Sequence, residues 1–231
     1  MSTIVECNNL SHSYGKSLAL DDISLRIESG KIVGLFGPNG SGKTTLIKML
    51  TGMIHDETGA VTICGNPVGE KSKAVVSYSP DRVAYRPDSK ITGLLDMYEL
   101  MYDDFDRNNA EDSLKELGIG TEEYVGKLSK GSAEKLQIIL TMSRKAKFYI
   151  LDEPINGVDP VSKENIIKIM LGNVPDKSSI MISTHQIEEI EQVLDEAIFI
   201  KEGKIVFHKS VDELREETGK SLLDAYKEEF R

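Results

Sequence analysis

Lys43 and Thr44 close an eight-residue string, GPNGSGKT at residues 37–44, that fits the pattern G-x-x-x-x-G-K-[ST]. Its residue types suit one task. Gly37, Gly40 and Gly42 let the backbone turn without a side-chain penalty, so successive amide N–H groups can face inward and cradle phosphate oxygens. Lys43 brings a point charge for the β and γ phosphates of a nucleotide, and the Thr44 hydroxyl is placed to ligate Mg2+. A second reactive pair stands in FYILDEP, where the apolar run from Phe148 to Leu151 reads as a buried strand that pushes Asp152 and Glu153 out at its carboxyl end. In an open α/β sheet that edge is where ligands bind. Asp152 there can hold a metal shell, and Glu153 can orient or deprotonate the water that attacks the γ phosphate. One carboxylate neutralised by a cation makes a poor base, so the chemistry wants a second. His185 ends another apolar strand, IMIST, on the same edge. Its ring could hydrogen-bond the γ phosphate or the attacking water, or it could serve packing alone; the residues leave both open.

Elements of definite type must hold these groups. Before the glycine-rich string, Ile32 to Phe36 is a buried strand; after it, Leu46, Ile47, Met49 and Leu50 recur at helical spacing, so the loop feeds a helix whose positive dipole end faces the phosphates. Residues 3–14 and 18–28 alternate apolar and polar and predict a small antiparallel set. Tyr14 lies between those strands, where a flat π face suits either an adenine ring or ordinary packing. ETGAVTICGNPV, residues 57–68, reads as a further hairpin, and residues 75–80 as a buried strand. From 86 to 123 the text turns helical and acidic without strand-like runs, which marks a helical insertion into an α/β body. Strands resume with FYILDEP, SIMISTH and EAIFIKEGKIVFH, separated by helical segments, and alternation of that kind implies a mostly parallel sheet with helices on both faces. The tail from 211 onward reads as one or two amphipathic, solvated closing helices.

Bulk properties narrow the class. With 231 residues, 39% apolar and 29% charged, the chain is long enough for a proper core and has an ordinary soluble composition. A formal charge of -10 argues against a broad nucleic-acid footprint. Cys7 and Cys64 are the only cysteines, too few for a disulfide scaffold, and read as buried free thiols of a reducing cytosol. The N-terminal MSTIVECNNL lacks a signal-peptide core and no run is long enough to span a bilayer, so a membrane role is expected through a partner.

Taken together, GPNGSGKT at 37–44, LSKGS at 128–132, FYILDE at 148–153, NGVDP at 156–160 and His185 resemble, in order and spacing, the motifs of the ATP-binding subunits of ABC transporters. LSKG followed by SRKAK and LDEP is similar to the Gram-positive exporter branch, in which ATPase and permease are separate chains. The resemblance implies a P-loop NTPase (RecA-like) α/β core with a mostly parallel sheet, an N-terminal antiparallel β subdomain and an inserted α-helical subdomain. One domain would span 1–231, its core from 1–85 and 140–231 and its helical insertion from 86–139 carrying the signature motif. It assigns Tyr14 to adenine stacking and Gly37, Pro38, Asn39, Gly40, Ser41, Gly42, Lys43, Thr44 and Thr45 to the phosphates and Mg2+. Glu153, Lys43 and His185 would be catalytic, with His185 as the γ-phosphate switch. Ser129, Lys130, Gly131 and Ser132 would cap the ATP of a partner subunit, and Asp159 would link the two sites across a homodimer or heterodimer. Thr44, Asp152 and Asp81 would face the metal.

The same resemblance implies a membrane permease as partner and a peripheral place on the inner face of the cell membrane, with no nucleic acid. The chain departs from the family pattern in three places: Lys130 and Ser132 stand where Gly and Gln are usual, Asp81 where Gln is common, and INGV precedes Asp159. A soluble ABC-type ATPase, or a nucleotide-dependent regulator that hydrolyses weakly, would share the nucleotide site and is the alternative use.

Overall fold

Two sheets and a helical cluster organise the chain in a computed structural model, which describes residues 2–55, 60–172 and 174–231. The chain opens with β1 (Thr3–Tyr14) and β2 (Ser17–Glu28), paired antiparallel as their alternating pattern predicts. Next come β3 (Ile32–Phe36), the glycine-rich loop and α1 (Lys43–Leu50). β4 (Val61–Ile63) and β5 (Asn66–Pro67) form the expected hairpin and complete a sheet of order β2-β1-β4-β5; Glu57, Thr58 and Gly59 of the hairpin reading lie outside the described residues. α2 (Glu70–Val75) then leads into β6 (Val76–Ser79).

The helical insertion contains α3 (Ile91–Met101), α4 (Arg107–Glu116) and α5 (Lys130–Met142). The remainder alternates: β7 (Phe148–Asp152), α6 (Pro160–Gly172), β8 (Ser179–Ser183), α7 (Ile187–Ile190), β9 (Glu196–Lys201), β10 (Lys204–Ser210), α8 (Val211–Thr218) and α9 (Leu222–Glu229). The second sheet has the order β10-β9-β3-β8-β7-β6, parallel throughout except for the β10 hairpin at its edge.

Burial on both faces explains why β3, β7 and β8 read as continuous apolar runs. Side chains alternate between two cores. Val33, Leu35, Ile150, Met181, Ile198 and Ile200 pack with α1 and the antiparallel sheet. Phe36, Tyr149, Leu151, Ile182 and Phe199 pack on the other face with α5, α6, α7 and the closing helices. A third cluster holds the helical insertion together through Leu95, Leu114, Leu136 and Ile139.

Arg144 joins that insertion to the sheet. Its buried guanidinium donates to the carbonyls of Val76 (2.6 Å) and Ala74 (2.8 Å) and to Asp104 Oδ1 (2.9 Å). The same group lies 3.9 Å above the Tyr102 ring. A planar fork suits this mixed set of acceptors.

Three sequence readings need correction. The strand expected over 75–80 is shorter, because EKSKAV before it winds into α2, whose N-terminal amide at Gly69 donates to Ser72 Oγ (2.8 Å). Cys7 is buried, but Cys64 sits half-buried just past β4 with φ +50°, in a turn and not in a strand. Asp152 is the last residue of β7 and is buried, not pushed out into solvent.

Candidate functional site

At the carboxyl edge of the parallel sheet, a cleft of about 630 Å³ opens between the glycine-rich loop and the ends of β7 and β8. Glycine is required in its floor. A Cβ on Gly37 would lie 2.3 Å from the carbonyl oxygen of Ile200, and Gly42 holds φ +114° with the carbonyl of Ala19 only 2.7 Å from where its Cβ would be. Side chains at either place would push the loop off β9 or β2, so the loop closes tightly enough to start α1 at Lys43.

Lys43 is buried, and its Nζ donates to the carbonyls of Gly37 (2.6 Å) and Pro38 (3.2 Å). Burial lowers its pKa, while Glu153 and Asp152 pull it back up. Asp152 shows the reverse balance: burial raises its pKa, and a hydrogen bond donated by Ser183 Oγ to Oδ1 opposes the rise, as does Lys43. Asp81 and Glu153 add to the rise. Glu153, at φ +50°, is held by its amide, which donates to the carbonyl (2.9 Å) and the hydroxyl (3.2 Å) of Ser183. Its Oε2 lies 3.0 Å from His185 Nδ1. His185 thus contacts the carboxylate beside the cleft directly.

The cleft is lined by Tyr14, Gly37, Pro38, Asn39, Gly40, Gly42, Lys43, Thr44, Thr45, Asp81, Asp152, Glu153 and His185. Ser41 is the one member of the loop outside that lining; its hydroxyl is buried and has no hydrogen-bond partner among the described residues. Tyr14 is half exposed, its ring meeting His12 edge-on at 4.8 Å. Ser129, Lys130, Gly131, Ser132 and Asp159 do not reach the cleft. They lie together elsewhere: the Cβ position of Gly131 is 3.6 Å from Ser162 Oγ and 3.8 Å from Asp159 Oδ2, and that of Gly157 is 2.9 Å from Lys130 Nζ. Ser129 caps α5 by accepting from the Ser132 amide (3.1 Å), and Asp159 caps α6 by accepting from the Ser162 amide (3.0 Å).

Sequence reasoning missed three lining residues, Ala19, Asn156 and Tyr226, and the Ser183 hydroxyl that fixes Asp152. Asn156 was within reach, since it follows Glu153 by three positions in the loop after β7. Tyr226 had no local signal. The tail reads as solvated helix, yet Leu222 is buried and Tyr226 turns toward the cleft.

The chain as a whole is similar to known proteins. The family described as ABC transporter matches residues 20–156. YtrB, an ABC transporter ATP-binding protein of Bacillus subtilis, is 29% identical over 217 residues, covering 93% of this chain and 74% of its own. The lantibiotic transport ATP-binding protein SrtF of Streptococcus pyogenes is 30% identical over 218 residues, covering 90% of this chain and 92% of its own. A solved structure of an ATP binding subunit of an ABC transporter superposes with a TM-score of 0.89 at 24% identity, covering 99% of this chain and all of its own, a likeness that speaks for the fold.

Proposed function

The chain belongs to the ABC transporter family of ATP-binding proteins, and from that premise we propose that it is the Mg-ATP-hydrolysing subunit of a transporter, a single domain that dimerises around nucleotide to drive a separate membrane permease. The observation that carries this is the convergence of the 37–45 loop, Asp152 and the Glu153–His185 pair in one cleft.

In this reading the triphosphate lies along the loop amides and the dipole of α1, and Lys43 exchanges its two carbonyl partners for phosphate oxygens. Tyr14 offers its exposed face to the base. Glu153 orients the water for in-line attack and accepts its proton, while His185 holds that carboxylate in place and contacts the γ phosphate. The donor set suits Mg2+, a hard cation that takes oxygen ligands and is usually held by one or two carboxylates together with substrate phosphates. Asp152, Asp81 and the Thr44 hydroxyl would hold it, and when bound it would spread the charge that develops on the β and γ oxygens.

Ser129, Lys130, Gly131 and Ser132 cannot act on their own chain's cleft, so they are assigned to a second subunit's ATP, with Asp159 beside them as the link between sites. Among the described residues no helix is long and apolar enough to cross a membrane. Attachment to the inner face of the membrane is therefore assigned to the permease, and the exposed Met97, Leu100 and Met101 of α3 offer it an apolar surface. Steady-state hydrolysis tests the reading: Glu153→Gln should lower ATP turnover by about 100-fold or more, the usual contribution of a positioned base. Equal background rates in both proteins would remove the enzymatic claim.

A further inference from the structure

The cleft receives an aromatic residue from each face of the parallel sheet. Tyr14 comes with the antiparallel sheet, which packs on the face that carries Ile198 and Ile200. Tyr226 comes from α9 on the opposite face, where it meets Phe199 edge-on at 5.4 Å and Phe230 at 4.3 Å. Phe199 is the strand partner of Phe36, the residue that leads into Gly37, and it also meets the Phe36 ring at 6.0 Å. α9 is fixed there at both ends. Its first amide, at Leu222, donates to Glu191 Oε1 (3.0 Å), and the carbonyl of Glu229 accepts from Lys201 Nζ (2.7 Å). A continuous aromatic contact thus runs from the phosphate loop through β9 to the closing helix.

Resting on the nucleotide-site reading above, we infer that α9 is part of that site and that Tyr226 is a positioning residue for the polyphosphate, its hydroxyl donating a hydrogen bond to the nucleotide from the wall opposite Tyr14. Two neighbours of α9 point to the phosphate end: α7, which begins two residues beyond His185, and Phe199, beside the strand that enters Gly37. The hydroxyl takes part in no hydrogen bond among the described residues, and burial raises its pKa, so it remains a protonated donor at neutral pH. An acidic tail would otherwise be an odd wall for an anion. The side chain turned inward is the uncharged one, whereas Lys227, Glu228 and Glu229 are more exposed or turned elsewhere.

The test is equilibrium binding of Mg-ATP by the full chain, read by titration calorimetry, together with melting temperature, for wild type, Tyr226→Phe and Tyr226→Ala. Phe keeps the packing on Phe199 and Phe230 and removes only the hydroxyl. Loss of one hydrogen bond to a charged acceptor should weaken ATP binding by about 10- to 150-fold in Tyr226→Phe with the melting temperature unchanged. Wild-type affinity in Tyr226→Phe overturns the inference, and so does a pattern in which only Tyr226→Ala changes, with affinity and melting temperature falling together, because that is packing. Failure of wild type itself to bind ATP would instead count against the nucleotide-site reading.

Discussion

Glu153 occupies a backbone region that a non-glycine L-residue enters at a cost of about 1–2 kcal/mol. That cost is met by two hydrogen bonds from its amide to Ser183, and the outcome is a carboxylate turned toward His185 at 3.0 Å. Strain at one residue therefore sets the direction of the proposed base. In the proposed mechanism His185 acts partly through its contact with Glu153, so the two side chains should be coupled and their losses should not fully add. His185→Ala is expected to slow hydrolysis by about tenfold or more while leaving ATP binding within about threefold of wild type. In the Glu153→Gln background the same substitution should cost clearly less than it does in wild type, since only the proposed γ-phosphate contact remains to be lost. Steady-state rates across the four proteins check this, and fully multiplicative losses would show that the contact carries no catalytic coupling.

At the scale of elements, the helical insertion depends on how its segments are capped and tied to the sheet. α4 has little apolar surface of its own beyond Ala110 and Leu114, and its start is fixed by Asp106. That carboxylate accepts from the Asn109 amide (3.1 Å) and pairs with Lys145 (3.0 Å), which connects the helix to the segment before β7. The Asn109 hydrogen bond, then Lys145, hold the Asp106 carboxyl below its usual range. A lowered pKa means the stabilisation is complete above the unfolded value near 3.8 and is lost as pH falls through the folded value. Asp106→Ala should thus cost about 1 kcal/mol near neutral pH, about 2–4 °C in melting temperature for a chain of this size, and progressively less in acid. Urea unfolding at pH 7 and at about pH 3 measures the difference. A gap between wild type and variant that widened in acid would contradict the assigned role.

The whole molecule presents two surfaces that do not meet within one chain. One is the cleft; the other is the patch formed by Ser129, Lys130, Gly131 and Asp159. In the proposed dimer the patch of each chain would meet the cleft of the other, an isologous arrangement in which both contacts form together. Nucleotide would then act as part of the interface, so its binding favours the dimer by mass action. Glu153→Gln, with hydrolysis slowed, should elute from gel filtration as a dimer with Mg-ATP and as a monomer without it. A monomer under both conditions would remove the two-chain mechanism, while leaving the single-chain nucleotide site intact.

The sequence by itself determined which residues could perform phosphate chemistry and in what kind of element each would lie. GPNGSGKT needs its glycines wherever it folds, since Gly42 must hold φ +114°, and the apolar run ending in Asp152 and Glu153 can only be a buried strand with its charges at one end. Local sterics and burial patterns are written in neighbouring residues, and this level was legible. Tertiary structure decided what long-range pairing alone can set. Placing β8 between β3 and β7 brings Ser183 onto Asp152 and His185 onto Glu153 across 31 and 32 positions of chain. Packing of α9 on Phe199 turns Tyr226 toward a loop that begins at residue 37, far earlier in the chain. No periodicity encodes such a meeting, because it depends on which face of a finished sheet a closing helix finds uncovered.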